Sequence, residues 1–188
     1  MGGATTQERE IKLRYDSADA AREAVIAAGA TPLHGRRLQE DALLDTAEGA
    51  LGDRECALRI RMENGKSRIT FKGPVQPSSM KLRDEFETVA GDGAILLRIF
   101  EELGYRVCFR YEKYREEFSH EDVIVAIDET PVGVYVEVEG SEHGIAVMAE
   151  ALGRTPADDI DESYRGLFVT HRDALGLAGD DMVFGQPA

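Results

Sequence analysis

The chain has 188 residues, 43% apolar and 31% charged, the composition of one soluble globular domain with enough length to bury a core, and not of a disordered chain. Its 36 acidic and 22 basic residues give a net charge of −14, which repels the nucleic-acid backbone and excludes a broad DNA or RNA surface while leaving room for a small basic pocket. No run approaches the roughly 18 apolar residues of a membrane-spanning helix, and MGGATTQERE lacks the basic and apolar parts of a secretory signal.

In chain order, residues 1–6 are expected to be a disordered start; MGGATT matches a myristoylation pattern only loosely. Alternation then predicts strands at about 7–14, 37–45, 56–63, 67–73, 81–89, 105–118, 122–128 and 132–140. Apolar periodicity predicts helices at about 17–28 (with Ser17 as N-cap), 91–103, 142–152 and 161–175. The Asn64-Gly65 pair between two alternating runs is a strong hairpin signal. Gly49 and Gly52, Gly73-Pro74 and Thr130-Pro131 mark further turns. VQPSSM (75–80) is a loop, and GLAGDDMVFGQPA (176–188) is a tail whose Met182-Val183-Phe184 can tuck onto the body. Eight strands with few helices give an α+β class. The regular β–α alternation of a doubly wound parallel sheet is missing, and eight antiparallel strands can close into a barrel with no free edge.

The strands share a peculiarity. In EREIKLRY, Ile11 and Leu13 point one way and Glu8, Glu10, Lys12 and Arg14 the other, because strand side chains alternate. ALRIRM sets Arg59 and Arg61 against Leu58, Ile60 and Met62. RITFK sets Arg68, Thr70 and Lys72 against Ile69 and Phe71. KLRDEFE aligns Lys81, Arg83, Glu85 and Glu87, with Asp84 interrupting the apolar side. Lys113 and Arg115 share the parity of Tyr111, Asp128 that of Ile124 and Ala126, and Glu137 and Glu139 that of Tyr135. A polar face in water is what an antiparallel sheet ordinarily presents. Here the faces are dominated by Glu, Arg and Lys, and the signs are sorted between strands. Turned inward, they would make a lumen with a basic wall and an acidic wall, balanced only when filled. A polyphosphate on the cations with Mg²⁺ or Mn²⁺ on the carboxylates fills both.

These stretches resemble the CYTH superfamily, the triphosphate tunnel enzymes, which include class IV adenylate cyclases, thiamine triphosphatases and inorganic tripolyphosphatases. ExExK at Glu8–Lys12 is a weak signature alone. The ordered series is specific: ERE-I-K, QEDALLD (39–45), ALRIR (57–61), FKGP (71–74), RDEFE (83–87), EKYR (112–115), AIDE (126–129), VEVEG (136–140) and ESYRGL (162–167). The resemblance spans residues 7–175 and implies one tunnel domain: an eight-stranded antiparallel barrel with helices packed outside. It implies that Lys12, Arg59, Arg61, Lys72, Arg83, Lys113 and Arg115 bind the triphosphate. It implies that Glu8, Glu10, Glu85, Asp128, Glu137 and Glu139 hold metal or orient water, with Glu87 continuing the pattern. Many members carry an aromatic where Leu43 stands, which bears on contacts to a base. Ser163, Tyr164 and Arg165 match a C-terminal motif whose role is either substrate contact or helix packing.

The leading expectation is metal-dependent triphosphate hydrolysis, with Lys12, Glu85 or Asp128 as base or water-orienting group. The alternatives are a class IV adenylate cyclase, in which the ATP 3′ hydroxyl attacks and pyrophosphate leaves, and a non-catalytic polyphosphate or nucleotide binder. Cys56 and Cys108 form no paired motif and are expected as buried thiols in a reducing cytoplasm. His34, His120, His143 and His171 lack zinc spacing. No nucleic-acid or membrane partner is expected, and the outer apolar faces allow a homodimer.

Overall fold

The computed structural model describes residues 6–185. Residues 1–5 of the expected start therefore lie outside the described residues. In chain order the elements are β1 (Thr6–Tyr15), α1 (Ala18–Ala27), β2 (Thr31–Thr46), β3 (Ala57–Glu63), β4 (Lys66–Lys72), β5 (Lys81–Ala90) and α2 (Gly93–Glu102). They continue with β6 (Tyr105–His120), β7 (Val123–Thr130), β8 (Gly133–Gly140), α3 (Glu142–Ala151) and α4 (Tyr164–His171). The strands close into an antiparallel barrel in the order β1-β5-β4-β3-β2-β6-β7-β8, with β8 pairing back to β1. Closure leaves no open edge to template a second chain.

The apolar sides decide which way the barrel faces. Ile11 and Leu13 of β1, Val123, Val125 and Ile127 of β7, and Val136 and Val138 of β8 pack outward against Ala21 and Val25 of α1 and Ile145 and Met148 of α3. On the far side, Leu58 and Ile60 of β3 with Ile69 and Phe71 of β4 meet Leu96, Leu97 and Phe100 of α2. Each large apolar side chain so buried contributes about 1.5–3 kcal/mol over an exposed one. With the apolar faces satisfied by helices outside, the charged faces point into the lumen, the reverse of a sheet that packs one face on a core.

The fourth helix behaves differently. Its Tyr164, Leu167 and Phe168 pack on Phe109, Tyr111 and Tyr135, which share the inward parity of their strands. It therefore closes over one end of the barrel rather than lying on its wall. This helix is shorter than the pattern suggests: Ser163 accepts from Gly166 N–H at 3.1 Å as its N-cap, so residues 161–163 lead into it, and residues 172–176 turn away. The second strand is longer than expected, beginning at Thr31 rather than near 37. Pro32 and Gly35 read as turn residues, yet β6 pairs along this segment and takes up the misfit at irregularities between Pro32 and His34 and between His34 and Arg37. The hairpin forms as expected, with Asn64 at φ 49° and Gly65 at φ 73°, the left-handed pair that a two-residue turn of matching twist requires. Met182 is fully buried; its N–H donates to Arg110 O at 2.9 Å and its carbonyl accepts from Glu112 N–H at 2.8 Å. Cys56 and Cys108 are unpaired thiols, half-buried rather than buried.

Candidate active site

Strand register assembles the site. Across β1 and β8, Glu10 faces Glu139 and Lys12 faces Glu137. Glu8 faces Arg83, Lys72 faces Glu85, Asp41 lies between Arg61 and Tyr111, and Arg115 faces Asp128. All the expected site residues except Asp128 line one cavity of about 370 Å³. Asp128 sits behind the wall with no exposure.

Three clusters divide the lumen. In the acidic one, Glu8 holds Lys72, whose Nζ also reaches Glu85 at 3.1 Å, and Glu10 holds Lys81 at 2.5 Å. Glu139 completes it. Burial and the neighbouring Glu8, Glu10 and Glu85, partly offset by Lys72, push the Glu139 carboxyl up to about 7. In the second cluster, Arg61 makes a two-toothed contact to Asp41 at 2.9 and 3.2 Å, with Arg59 Nε 3.5 Å from the same carboxylate. Burial alone would raise Asp41; Arg61 and Arg59 outweigh it and hold the carboxyl below its ordinary value.

Asp128 is the hub of the third cluster. It accepts from Lys113 Nζ at 2.7 Å, Arg115 Nε at 2.6 Å and the Tyr164 hydroxyl at 2.6 Å. Glu137 pairs with Arg115 and lies 3.6 Å from Lys12 Nζ. Burial opposes ionisation of both carboxylates, but Arg115 and Lys113 overcome it. Lys113 carries the opposite consequence: burial, with Arg115 adjacent, pushes its ammonium down to about 8 against the pull of Asp128 and Glu137. Lys12 is gripped from outside the barrel, its Nζ donating to Glu162 O at 2.8 Å.

Two cavity-lining cations, Arg83 and Arg165, stand in no ion pair among the described residues. The buried Nε of Arg83 has no hydrogen-bond partner among them either. At the rim, Arg37 bridges Glu63 at 3.0 Å and Glu117 at 2.7 Å, and Arg68 meets Glu87 at 2.7 Å.

Several of these groups escaped sequence reasoning. Asp41 and Tyr111 stood on strands already recognised, but Leu43 at the next inward position masked the polar parity of β2. Lys81 was seen on the charged face without a role. Tyr164 belongs to the ESYRGL motif, but as a helix residue it carries no strand parity that would place it at the lumen.

A model described as the CYTH domain matches residues 6–164. The chain belongs to the CYTH domain family. A Methanocaldococcus jannaschii protein named as a candidate adenylate cyclase is 30% identical over 135 residues, covering 71% of this CYTH chain and 77% of its own. Among solved structures, a candidate adenylate cyclase from Vibrio parahaemolyticus superposes with a TM-score of 0.74 at 20% identity, over 88% of this chain and 99% of that one. A candidate adenylyl cyclase from Hippeastrum, described as having a dominant triphosphatase activity, gives a TM-score of 0.64 at 22% identity over 87% and 95%. These likenesses show that the CYTH barrel described above is the family fold.

Proposed function

We propose that this CYTH protein is a metal-dependent triphosphatase, acting on inorganic tripolyphosphate or a triphosphate with a small organic end. The observation that carries the reading is charge sorting. The cavity gathers ten of the chain's 22 Lys and Arg side chains against seven of its 36 Asp and Glu. An acidic molecule thus keeps a cationic interior, which suits a compact polyanion and not a nucleic-acid duplex.

Among the described residues no three His, Cys, Asp or Glu side chains stand together as a ready metal-ligand set; the Lys72 and Lys81 ammonium groups lie on the acidic cluster instead. The chemistry still fits a divalent cation. Glu139 among Glu8, Glu10 and Glu85 carries more negative charge than the two lysines balance, as its raised carboxyl records, and carboxylate oxygens are the donors Mg²⁺ and Mn²⁺ prefer. Bound on these four, such an ion would neutralise phosphoryl oxygens and polarise the phosphorus they surround.

The chain's own groups supply the rest. Arg83, Arg59 and Arg61 bind and orient phosphoryl oxygens, a transfer that depends mainly on positioning and electrostatic stabilisation. Lys113, near 8, populates a neutral amine at mildly alkaline pH and can take the proton of the attacking water. Asp128, with both oxygens engaged by Lys113, Arg115 and Tyr164, acts as an anchor and not as a ligand.

A cyclase reading is favoured by the name of the M. jannaschii relative. Against it, the aromatic side chains at the cavity wall are Tyr111 and Tyr164, both at most 7% exposed, which offers adenine little face to stack on. One assay separates them. Purified protein is incubated with tripolyphosphate, thiamine triphosphate or ATP, each with Mg²⁺ or Mn²⁺, and the products are resolved by chromatography. Orthophosphate is the expected product. Cyclic AMP with pyrophosphate would replace this reading with the cyclase, and binding without turnover would leave a polyphosphate-binding module.

A further inference from the structure

We propose that Tyr164 is the positioning residue of the tunnel, fixing Asp128, Lys113 and Lys12 for phosphoryl transfer; the kinetic part of the inference rests on the triphosphatase reading above. Tyr164 opens α4 and is 7% exposed. Its hydroxyl donates to Asp128 Oδ2 at 2.6 Å, the oxygen that also accepts from Lys113. Its ring lies 4.7 Å from Lys113 Nζ and 4.5 Å from Lys12 Nζ. One side chain therefore touches the anchor carboxylate and both lysines, which come from three different strands.

The ring is itself held. Tyr135 meets it edge-on at 5.8 Å and Tyr111 lies tilted against it at 5.9 Å. The segment leading into α4 grips Lys12 three times: Lys12 N–H donates to Asp159 at 2.9 Å, Ile160 N–H donates to Lys12 O at 2.8 Å, and Lys12 Nζ donates to Glu162 O. A lysine side chain ordinarily keeps considerable rotamer freedom. An ammonium on an aromatic face, with a charge-assisted bond to a carboxylate itself fixed by a phenol, loses that freedom before substrate arrives. The hydroxyl points at Asp128, which does not line the cavity, so Tyr164 orders the groups that work without using its hydroxyl on substrate.

The test compares wild type, Tyr164→Phe, Tyr164→Leu and Leu167→Ala in steady-state hydrolysis of tripolyphosphate with Mg²⁺. Leu167 is buried on the same helix against apolar neighbours, so its truncation reports helix docking alone. Tyr164→Phe is expected to lower kcat about tenfold, the scale of one hydrogen bond to a charged group, with KM within about twofold. Tyr164→Leu, which removes the ring as well, lowers kcat further. An unchanged kcat in Tyr164→Phe, or an equal kcat loss in Leu167→Ala, would overturn the proposal. Lysine side-chain ¹⁵N–¹H spectra test it without turnover: the exchange-protected Lys113 ammonium signal of wild type should be lost in Tyr164→Phe, and the Lys12 signal as well in Tyr164→Leu, which removes the ring. A wild-type chain with those signals but no hydrolysis would end the triphosphatase reading and leave the positioning role standing; spectra identical in wild type and Tyr164→Phe would end the positioning role.

Discussion

At the scale of single residues, the tunnel contains two kinds of charge with opposite relations to stability and binding. Asp128 is wholly buried between Lys113 and Arg115, so the folded state depends on it. Asp128→Ala strips buried Lys113 of its carboxylate and leaves Arg115 to Glu137, and should cost about 3–5 kcal/mol in chemical denaturation. Among the described residues Arg83 has no ion pair to lose. Arg83→Ala should change stability by no more than about 0.5 kcal/mol, while tripolyphosphate binding by calorimetry falls about 10- to 100-fold. A destabilised Arg83→Ala protein, or one that binds as wild type does, would show that this guanidinium is structural. The sequence displays both residues as charges on alternating strands. Parity says that a side chain faces the lumen; it does not say whether the neighbouring strand has already supplied a partner, because that is fixed by a register between segments far apart in the chain.

The same distinction explains what was legible in the elements. Every strand and helix of the barrel was visible in alternation or in 3.6-residue periodicity, and the N-caps Ser17, Asp92, Ser141 and Ser163 mark their helix starts where local chemistry demands. The two misjudged elements are those that tertiary pairing overrides: the start of β2, where Pro32 and Gly35 argue locally for a turn, and the end of α4, where an apolar pattern continues past the helix. The early part of β2 also carries Arg37, whose ion pairs to Glu117 of β6 and Glu63 of β3 tie the rim together. Burial would raise the Glu117 carboxyl, but Arg115 and Arg37 lower it below its ordinary 4.5. A carboxylate depressed in the fold stabilises it above the unfolded value and loses that contribution as pH falls through the folded one. Glu117→Gln should therefore be less stable than wild type by about 1 kcal/mol at pH 7. The two denaturation curves should converge as the pH drops below 4.5; a deficit that persisted into acid would mean packing rather than charge holds the rim.

For the whole molecule, the −14 net charge and the cationic interior are parts of one arrangement. Outward acidity opposes adventitious polyanions over the surface, and the barrel wall confines attraction to a site lined by ten cations. Such a lumen stores repulsion: Arg59 and Arg61 of β3 and Arg83 of β5 line one cavity, and the acidic cluster crowds Glu139 toward protonation. A polyphosphate relieves the first strain and a divalent cation the second, so the two ligands should assist each other. Calorimetric scans should therefore show only small rises in Tm with Mg²⁺ alone or tripolyphosphate alone, and a larger rise with both. At ligand near 100 times Kd the gain is about 2.7 kcal/mol, or roughly 5–10 °C for a chain of this size. Because surface charges are screened over about 10 Å at 0.1 M salt and the lumen is enclosed, added salt should slow binding more than it weakens it. Strictly additive shifts from the two ligands would mean that the basic and acidic walls serve separate purposes, and the tunnel would then be a binder of anions with carboxylates that only hold its arginines apart.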